Sequence, residues 1–235
     1  MNHARPKRLL RLNPSFHRDY FHKIDEPQKA YWLGYLYNVG RVREDGYFYL
    51  ARTLNQDLEA LARFSMDLNL NSDILNRRTM RKNGKVDYIT YYLGFMDKEF
   101  TDGFYGYIPG GDSYINKEPL YPNISPEYNR HFIRGLFDSY SSVIKENEGE
   151  AKRMNIRIDG RGPMLETVAK ILKDEIEMNS SLKDAGRALN RLEDTLSLKS
   201  TKSLPDFILY LYDGVERYNT RKYEQIMDLF HFLYS

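Results

Sequence analysis

The apolar positions of this chain gather into two short runs about a hundred residues apart. They are Ala30-Tyr31-Trp32-Leu33-Gly34-Tyr35-Leu36-Tyr37-Asn38-Val39-Gly40 and His131-Phe132-Ile133-Arg134-Gly135-Leu136-Phe137-Asp138-Ser139-Tyr140-Ser141. Each is rich in aromatic residues and has a glycine at its centre. Gly34 falls on Gly135 at an offset of 101, and the same offset lays Val42 on Val143. Self-similarity of this kind marks an internal duplication, in which neither half buries its apolar face alone.

The periodicities around each run predict the same order of elements. Glu26 to Asn38 reads as a helix, with Pro27 accommodated in its first turn. Tyr47 to Arg52 alternates as a strand, Phe48 and Leu50 on one face, Tyr47, Tyr49 and Ala51 on the other. Asp45-Gly46 before it reads as a hairpin turn. Gln56 to Leu68 is an amphipathic helix through Leu58, Leu61, Phe64, Met66 and Leu68, and Asp57 near its start complements the helix dipole. Leu75 to Leu93 forms a hairpin centred on Asn83-Gly84, a type I′ turn signal, with arms that do not alternate cleanly enough to assign faces. Lys98 to Tyr105 makes a short helix.

Pro109-Gly110-Gly111 to Pro126, carrying Pro119 and Pro122, then separates the halves. The plan resumes with a helix from Glu127 to Tyr140. Met154 to Asp159 is a strand with Met154, Ile156 and Ile158 inward and Asn155, Arg157 and Asp159 outward. Pro163 to Met178 is an amphipathic helix. Ser181 to Lys199 is a longer hairpin, with Leu196 and Leu198 toward the core and Thr195, Ser197 and Lys199 on the open face. Asp206 to Asp213 and Arg221 to Tyr234 close the chain as helices. The order is helix, two strands, helix, two strands, helix, written twice. It divides the chain into a basic arm (1–18), a first repeat (19–108), a linker (109–126) and a second repeat (127–235).

Composition narrows the class. A chain of 235 residues can bury a sizeable core, as one large domain or as two fused halves. The absence of cysteine excludes a disulfide framework and thiolate metal sites. The apolar runs are too short to span a bilayer, and Met1 to Leu12 lacks a signal-peptide core. The expectation is therefore a soluble cytoplasmic protein, nucleoid-associated if prokaryotic or phage, with no membrane contact. The histidines (His3, His17, His22, His131, His231) show no metal-ligand spacing, and His131 reads as structural. Trp32 reads as a packing residue.

The two runs resemble the paired signature helices of LAGLIDADG homing endonucleases, with Trp32 to Gly40 and Ile133 to Ser141 along the nine-residue motif. The flanks agree. Asp25-Glu26-Pro27-Gln28-Lys29-Ala30-Tyr31 looks like the lead-in to the first motif, and Pro122-Asn123-Ile124-Ser125-Pro126-Glu127-Tyr128 like the lead-in to the second. Tyr210-Leu211-Tyr212-Asp213 and Arg221-Lys222-Tyr223 are similar to the closing helices of single-chain members. The resemblance spans roughly residues 16 to 230. It implies an α+β fold of two pseudo-symmetric repeats, each αββαββα, whose antiparallel strands form a saddle over DNA with helices on the other face. Gly34 and Gly135 are then the small residues that let the signature helices cross closely.

In the resembled family the eighth motif position is acidic in both repeats, and the two carboxylates hold the divalent metal that hydrolyses DNA. A hard cation needs such oxygen ligands, and the clamp stabilises the attacking and leaving oxygens. Here those positions are Val39 and Tyr140. Valine offers no ligand and a neutral phenol is a poor one. Asp138, about 200° round the helix from Tyr140, points elsewhere. The expectation is a protein without metal, cofactor or nuclease activity.

Charge is distributed to suit a one-faced phosphate binder. The net charge is only +2. Residues 1–18 nevertheless carry +5, and the predicted strand segments 41–52, 73–88, 145–162 and 182–203 hold 18 basic residues against 11 acidic ones. The saddle implied by the resemblance would contact double-stranded DNA through Arg41, Arg43, Arg77, Arg78, Arg81, Lys82, Lys152, Arg153, Arg157, Arg187, Arg191 and Lys199. Among these, Arg157, Arg187 and Arg191 suit guanine, and Lys82, Lys152 and Lys199 suit phosphate. The resulting expectation is a monomeric, sequence-specific DNA-binding regulator, such as a repressor, domesticated from a mobile or phage nuclease. A protein-interaction module, an RNA-binding intron maturase and an endonuclease with displaced acids remain open alternatives.

Overall fold

Pro27 opens helix α1 (Pro27–Val39) at a position where its missing N–H has no intrahelical partner to lose. Every residue from Ala30 to Tyr37 is buried, so this helix is enclosed on all sides rather than amphipathic. Strands β1 (Gly40–Val42) and β2 (Tyr47–Thr53) follow, then α2 (Leu58–Asp67), β3 (Leu75–Lys82), β4 (Lys85–Met96) and α3 (Lys98–Tyr105). A single 3₁₀ turn at Pro126–Tyr128 leads into α4 (Asn129–Tyr140). After it come β5 (Ser141–Glu148), β6 (Ala151–Gly160), α5 (Gly162–Ile176), β7 (Ser180–Asp184), β8 (Asp194–Leu198), α6 (Leu204–Tyr212) and α7 (Thr220–Tyr234). The structure, a computed structural model, describes residues 12–43, 45–53, 58–70, 75–82, 85–105, 107, 120–148, 151–160, 162–184 and 194–235.

The duplication extends to sheet topology. One sheet has the order β1-β2-β4-β3 and the other β5-β6-β8-β7, the same permutation of antiparallel strands. In both, the strand pair begins directly at the end of a signature helix, at Gly40 and at Ser141. The helices α1 and α4 pack side by side between the sheets. A Cβ placed at Gly34 would lie 2.0 Å from the Phe132 carbonyl oxygen, and one at Gly135 would lie 2.1 Å from that of Tyr31. Phe132 is the repeat equivalent of Tyr31, so the two contacts are reciprocal, as a pseudo-two-fold axis requires. The lead-ins also meet, the Tyr128 hydroxyl donating to the Asp25 carbonyl at 2.7 Å. Both helices therefore start at one end of the pair and finish together at the other.

Each sheet buries one face. Val42, Phe48, Leu50, Leu93 and Phe95 turn inward from the first, and Met154, Ile156, Ile158, Leu196 and Leu198 from the second. Phe48 is the hub of an aromatic cluster, 5.2 Å from Phe95 and 5.3 Å from Phe100 between ring centres. Such edge-to-face and tilted pairs exploit the ring quadrupole beyond simple burial. Trp32 packs against Phe64 at 5.0 Å and donates its indole N–H to Asp67 at 2.7 Å.

Several expectations need correction. Met66 is 76% exposed, because it lies about 200° round α2 from Phe64 and off the stripe of Leu61, Phe64 and Leu68. Asn155 and Ser197 sit at outward positions yet are buried. They are short side chains on the central strands, Asn155 donating to Glu146 and Ser197 paired across from Arg157. Among the described residues the second repeat closes with two helices, α6 and α7, and the first with α3. Residues 109–119 of the linker, the Asn83-Gly84 turn, Asp57 and the basic arm through residue 11 lie outside the described residues.

Candidate nucleic-acid interface

Alternation along the strands fixes what the open faces present. On the first sheet Arg41 pairs across from Tyr49, and Tyr49 from Gly94. Gly94 leaves room that Tyr47 occupies: a Cβ there would lie 2.5 Å from the Tyr47 hydroxyl oxygen. Tyr47 and Tyr49 stack at 6.3 Å, and Tyr49 meets Tyr92 at 5.6 Å, giving a row of three phenols. Burial, with Tyr92 and Tyr49 as neighbours, pushes the Tyr47 phenol up, so it stays neutral at physiological pH. Arg43 packs on the Tyr47 ring at 5.7 Å and pairs with Asp45 at 2.7 Å. Arg77, Arg78, Arg81 and Lys82 occupy β3, paired with Tyr91, Thr90, Val86 and Lys85 of β4.

The second sheet presents a different chemistry. Arg153 and Arg157 are exposed on its open face, with Ser142 and Ser197 paired across from Arg157. Lys183 lies opposite Thr195, whose hydroxyl donates to the Asp159 carboxylate at 2.7 Å. Lys199 is exposed just past the end of β8. Lys152 falls on the other side of the sheet, against α7. Its ammonium reaches the Ser235 hydroxyl at 3.2 Å and lies 5.6 Å from the centre of the Phe232 ring. Period-two alternation explains this, since Lys152 shares a face with Met154 rather than with Arg153. Arg187 and Arg191 lie outside the described residues.

At the base of the helix pair stand Val39 and Tyr140, both half-buried. Each lies five residues past its crossing glycine, about 7.5 Å further along its helix. Arg41 folds back beside Val39, donating to the carbonyls of Asn38 at 2.9 Å and Gly40 at 2.7 Å. Its cation thus caps the negative end of α1. The Lys222 ammonium donates to the carbonyl of Ser141, the residue after Tyr140. The Asn38 amide donates to the Asp159 carbonyl at 3.0 Å, tying the first signature helix to the second sheet. Among the described residues no group of three or more histidines and carboxylates is disposed to hold a metal ion.

Asp138, the nearest carboxylate in sequence, is turned into the interior. It accepts from the Tyr31 hydroxyl at 3.1 Å, the Tyr212 hydroxyl at 2.7 Å and the Asn219 backbone N–H at 2.7 Å. Complete burial raises its pKa to about 6 against the pull of these donors and of Arg134. Arg134 is itself buried over the Tyr31 ring and donates to the carbonyls of Arg217 and Leu211. His131 beside it is held neutral, its pKa lowered to about 4 by burial and by Arg134 and Arg130.

No protein-family model and no curated protein sequence matches the chain. Its structure matches solved structures over most of its length. The LAGLIDADG homing endonuclease I-GzeII, in complex with its DNA target, superposes with a TM-score of 0.56 at 9% identity, over 87% of this chain and 88% of that one. The homing endonuclease I-WcaI, bound to its DNA recognition sequence, gives 0.55 at 14% identity, over 92% and 96%. The chain has the LAGLIDADG homing endonuclease fold in its single-chain, two-repeat form. Among the described residues no helix is long and apolar enough to cross a membrane.

The row of Tyr47, Tyr49 and Tyr92 was not singled out as a candidate site by sequence reasoning. The alternation of β2 already placed Tyr47 and Tyr49 off the core face. Tyr92 lies on β4 where its register with β2 shifts between Leu50 and Thr53, in an arm whose alternation did not assign faces.

Proposed function

We propose that this protein binds double-stranded DNA at a specific sequence, without metal-dependent cleavage, and acts as a transcriptional regulator. The observation that carries the reading is a pair of antiparallel sheets, the first with strongly basic strands and the second with Arg153, Arg157 and Lys183 exposed, set with Val39 and Tyr140 at the base of the helix pair. Two proteins of the same fold, I-GzeII and I-WcaI, are seen bound to DNA targets. An antiparallel ribbon fits the major groove, where its open-face side chains reach base edges while flanking cations hold phosphates. Two unlike sheets on one chain suit a long non-palindromic site bound by a monomer.

Loss of cleavage is supported by more than the two substitutions. Asp138 is committed to Tyr31, Tyr212 and Asn219, and Arg41 places a cation next to Val39. Both features disfavour a divalent ion there. The deciding experiment is selection of bound fragments from genomic and random duplex DNA at physiological salt, in EDTA and then with Mg²⁺. One intact motif of about twenty base pairs, uncut under both conditions, is the expected result. Cleaved fragments in Mg²⁺ sink the inactive reading, and no enrichment sinks the DNA reading altogether.

A further inference from the structure

The two sheets differ in chemistry more than their common topology suggests. The strands of the first carry seven basic residues (Arg41, Arg52, Arg77, Arg78, Arg81, Lys82, Lys85) against one acid, Asp87. The strands of the second carry five basic and five acidic residues. The first sheet is therefore the electropositive half. Its open face also bears the phenol row of Tyr47, Tyr49 and Tyr92, with Met96 exposed beside Tyr47. Ser142, Thr195, Arg153 and Arg157 give the second sheet a hydrogen-bonding face, with Ile144 as an apolar residue toward its edge.

Flat aromatic rings on a cationic sheet match one feature of duplex DNA. Bases present donors and acceptors in the major groove, and the only apolar group among them is the C5 methyl of thymine. Hydroxyls and guanidinium groups read donors and acceptors, whereas ring faces reward apolar contact. Building on the DNA-binding reading above, we infer that the first sheet grips a thymine-rich half-site, its tyrosine row packing against thymine methyls in the major groove. The second sheet reads the other half by hydrogen bonds. The basic residues of the first sheet hold the backbone on both sides of this contact. Uracil lacks the methyl group, so the same surface discriminates against RNA of equivalent sequence.

The test uses the duplex recovered by selection, with uracil replacing thymine in one half at a time. Removing a packed methyl is expected to weaken binding about fourfold per contacted base. That loss should appear in one half only. Tyr49→Ala and Tyr92→Ala should weaken binding to the thymine duplex and erase the difference between thymine and uracil in that half. Tyr49→Phe and Tyr92→Phe retain the rings and should retain the discrimination, which separates methyl readout from misfolding. Uracil tolerated in both halves of a selected motif, or penalised equally in both, overturns the inference while the DNA-binding reading stands. Recovery of no duplex, or preference for structured RNA, overturns both.

Discussion

The phenol of Tyr31, in the first repeat, donates to the carboxylate of Asp138, in the second, at 3.1 Å across the paired signature helices. Tyr212 and the Asn219 N–H complete the shell, so one buried carboxylate joins α1, α4, α6 and the start of α7. Its folded pKa of about 6 lies above the ordinary aspartate value of 3.8, burial outweighing its donors. The native state therefore binds this proton more tightly than the unfolded chain. The stabilisation is fully present below about pH 4 and is lost as pH rises through 6. Asp138→Asn cannot titrate. Its stability deficit relative to wild type should shrink between pH 4 and pH 7, by something on the order of 3 kcal/mol. Urea unfolding of both proteins across that range measures the difference, and a deficit constant with pH defeats the assignment.

The glycine crossing predicts a sharp contrast between similar substitutions. Gly34→Ala and Gly135→Ala each drive a methyl into backbone of the facing helix, where nothing can rotate away. Each should cost about 3 kcal/mol or more, the upper end of overpacking penalties. Gly160→Ala meets chiefly the terminal methyl of Met164 at 2.7 Å, a flexible end that moves readily. Its cost should stay at about 1 kcal/mol. Thermal melts of the three variants test the ranking.

Asp67 accepts from the Trp32 indole at 2.7 Å and from Arg217 at 3.2 Å, joining α2 of the first repeat to the loop between α6 and α7. Asp67→Ala strands a buried indole donor and removes the inter-repeat ion pair. A loss of about 1–3 kcal/mol is expected, most of it from the unsatisfied N–H. Trp32 is the single tryptophan, so its fluorescence reports the site directly. Asp67→Asn keeps an acceptor for the indole and should preserve most of the emission spectrum, whereas Asp67→Ala should shift it.

Much of the fold was legible because its signals are local. The central glycines, the alternation of Phe48 and Leu50 and of Met154, Ile156 and Ile158, and the stripe through Leu61 and Phe64 each state a period or a small residue in one window. The burial of Asn155 and Ser197 was not legible, since it depends on which strands become central. Lys152 shows the same limit: alternation puts it on the helical side, but only the packing of α7 supplies Phe232 and Ser235. The interior role of Asp138 required Tyr212 and Asn219, more than seventy residues away in sequence. The tyrosine row depends on Gly94 and on the pairing of β2 with β4, whose register is irregular.

The base of the helix pair supports a last prediction, concerning restoration of metal binding. Val39→Asp with Tyr140→Asp returns carboxylates to both helix ends, but Arg41 remains folded against the carbonyls of Asn38 and Gly40. A guanidinium at hydrogen-bonding distance from those carbonyls repels a divalent cation and offers the carboxylate introduced at position 39 a competing partner. The double variant alone should therefore bind Mn²⁺ weakly, and adding Arg41→Ala should tighten binding by about tenfold, the effect of removing one nearby cation worth roughly 1.4 kcal/mol. Calorimetric titration with Mn²⁺ in the absence of DNA separates the two variants, and it does not depend on whether the rest of a catalytic apparatus survives. Equal affinities with and without Arg41 would show that its cation does not guard the site.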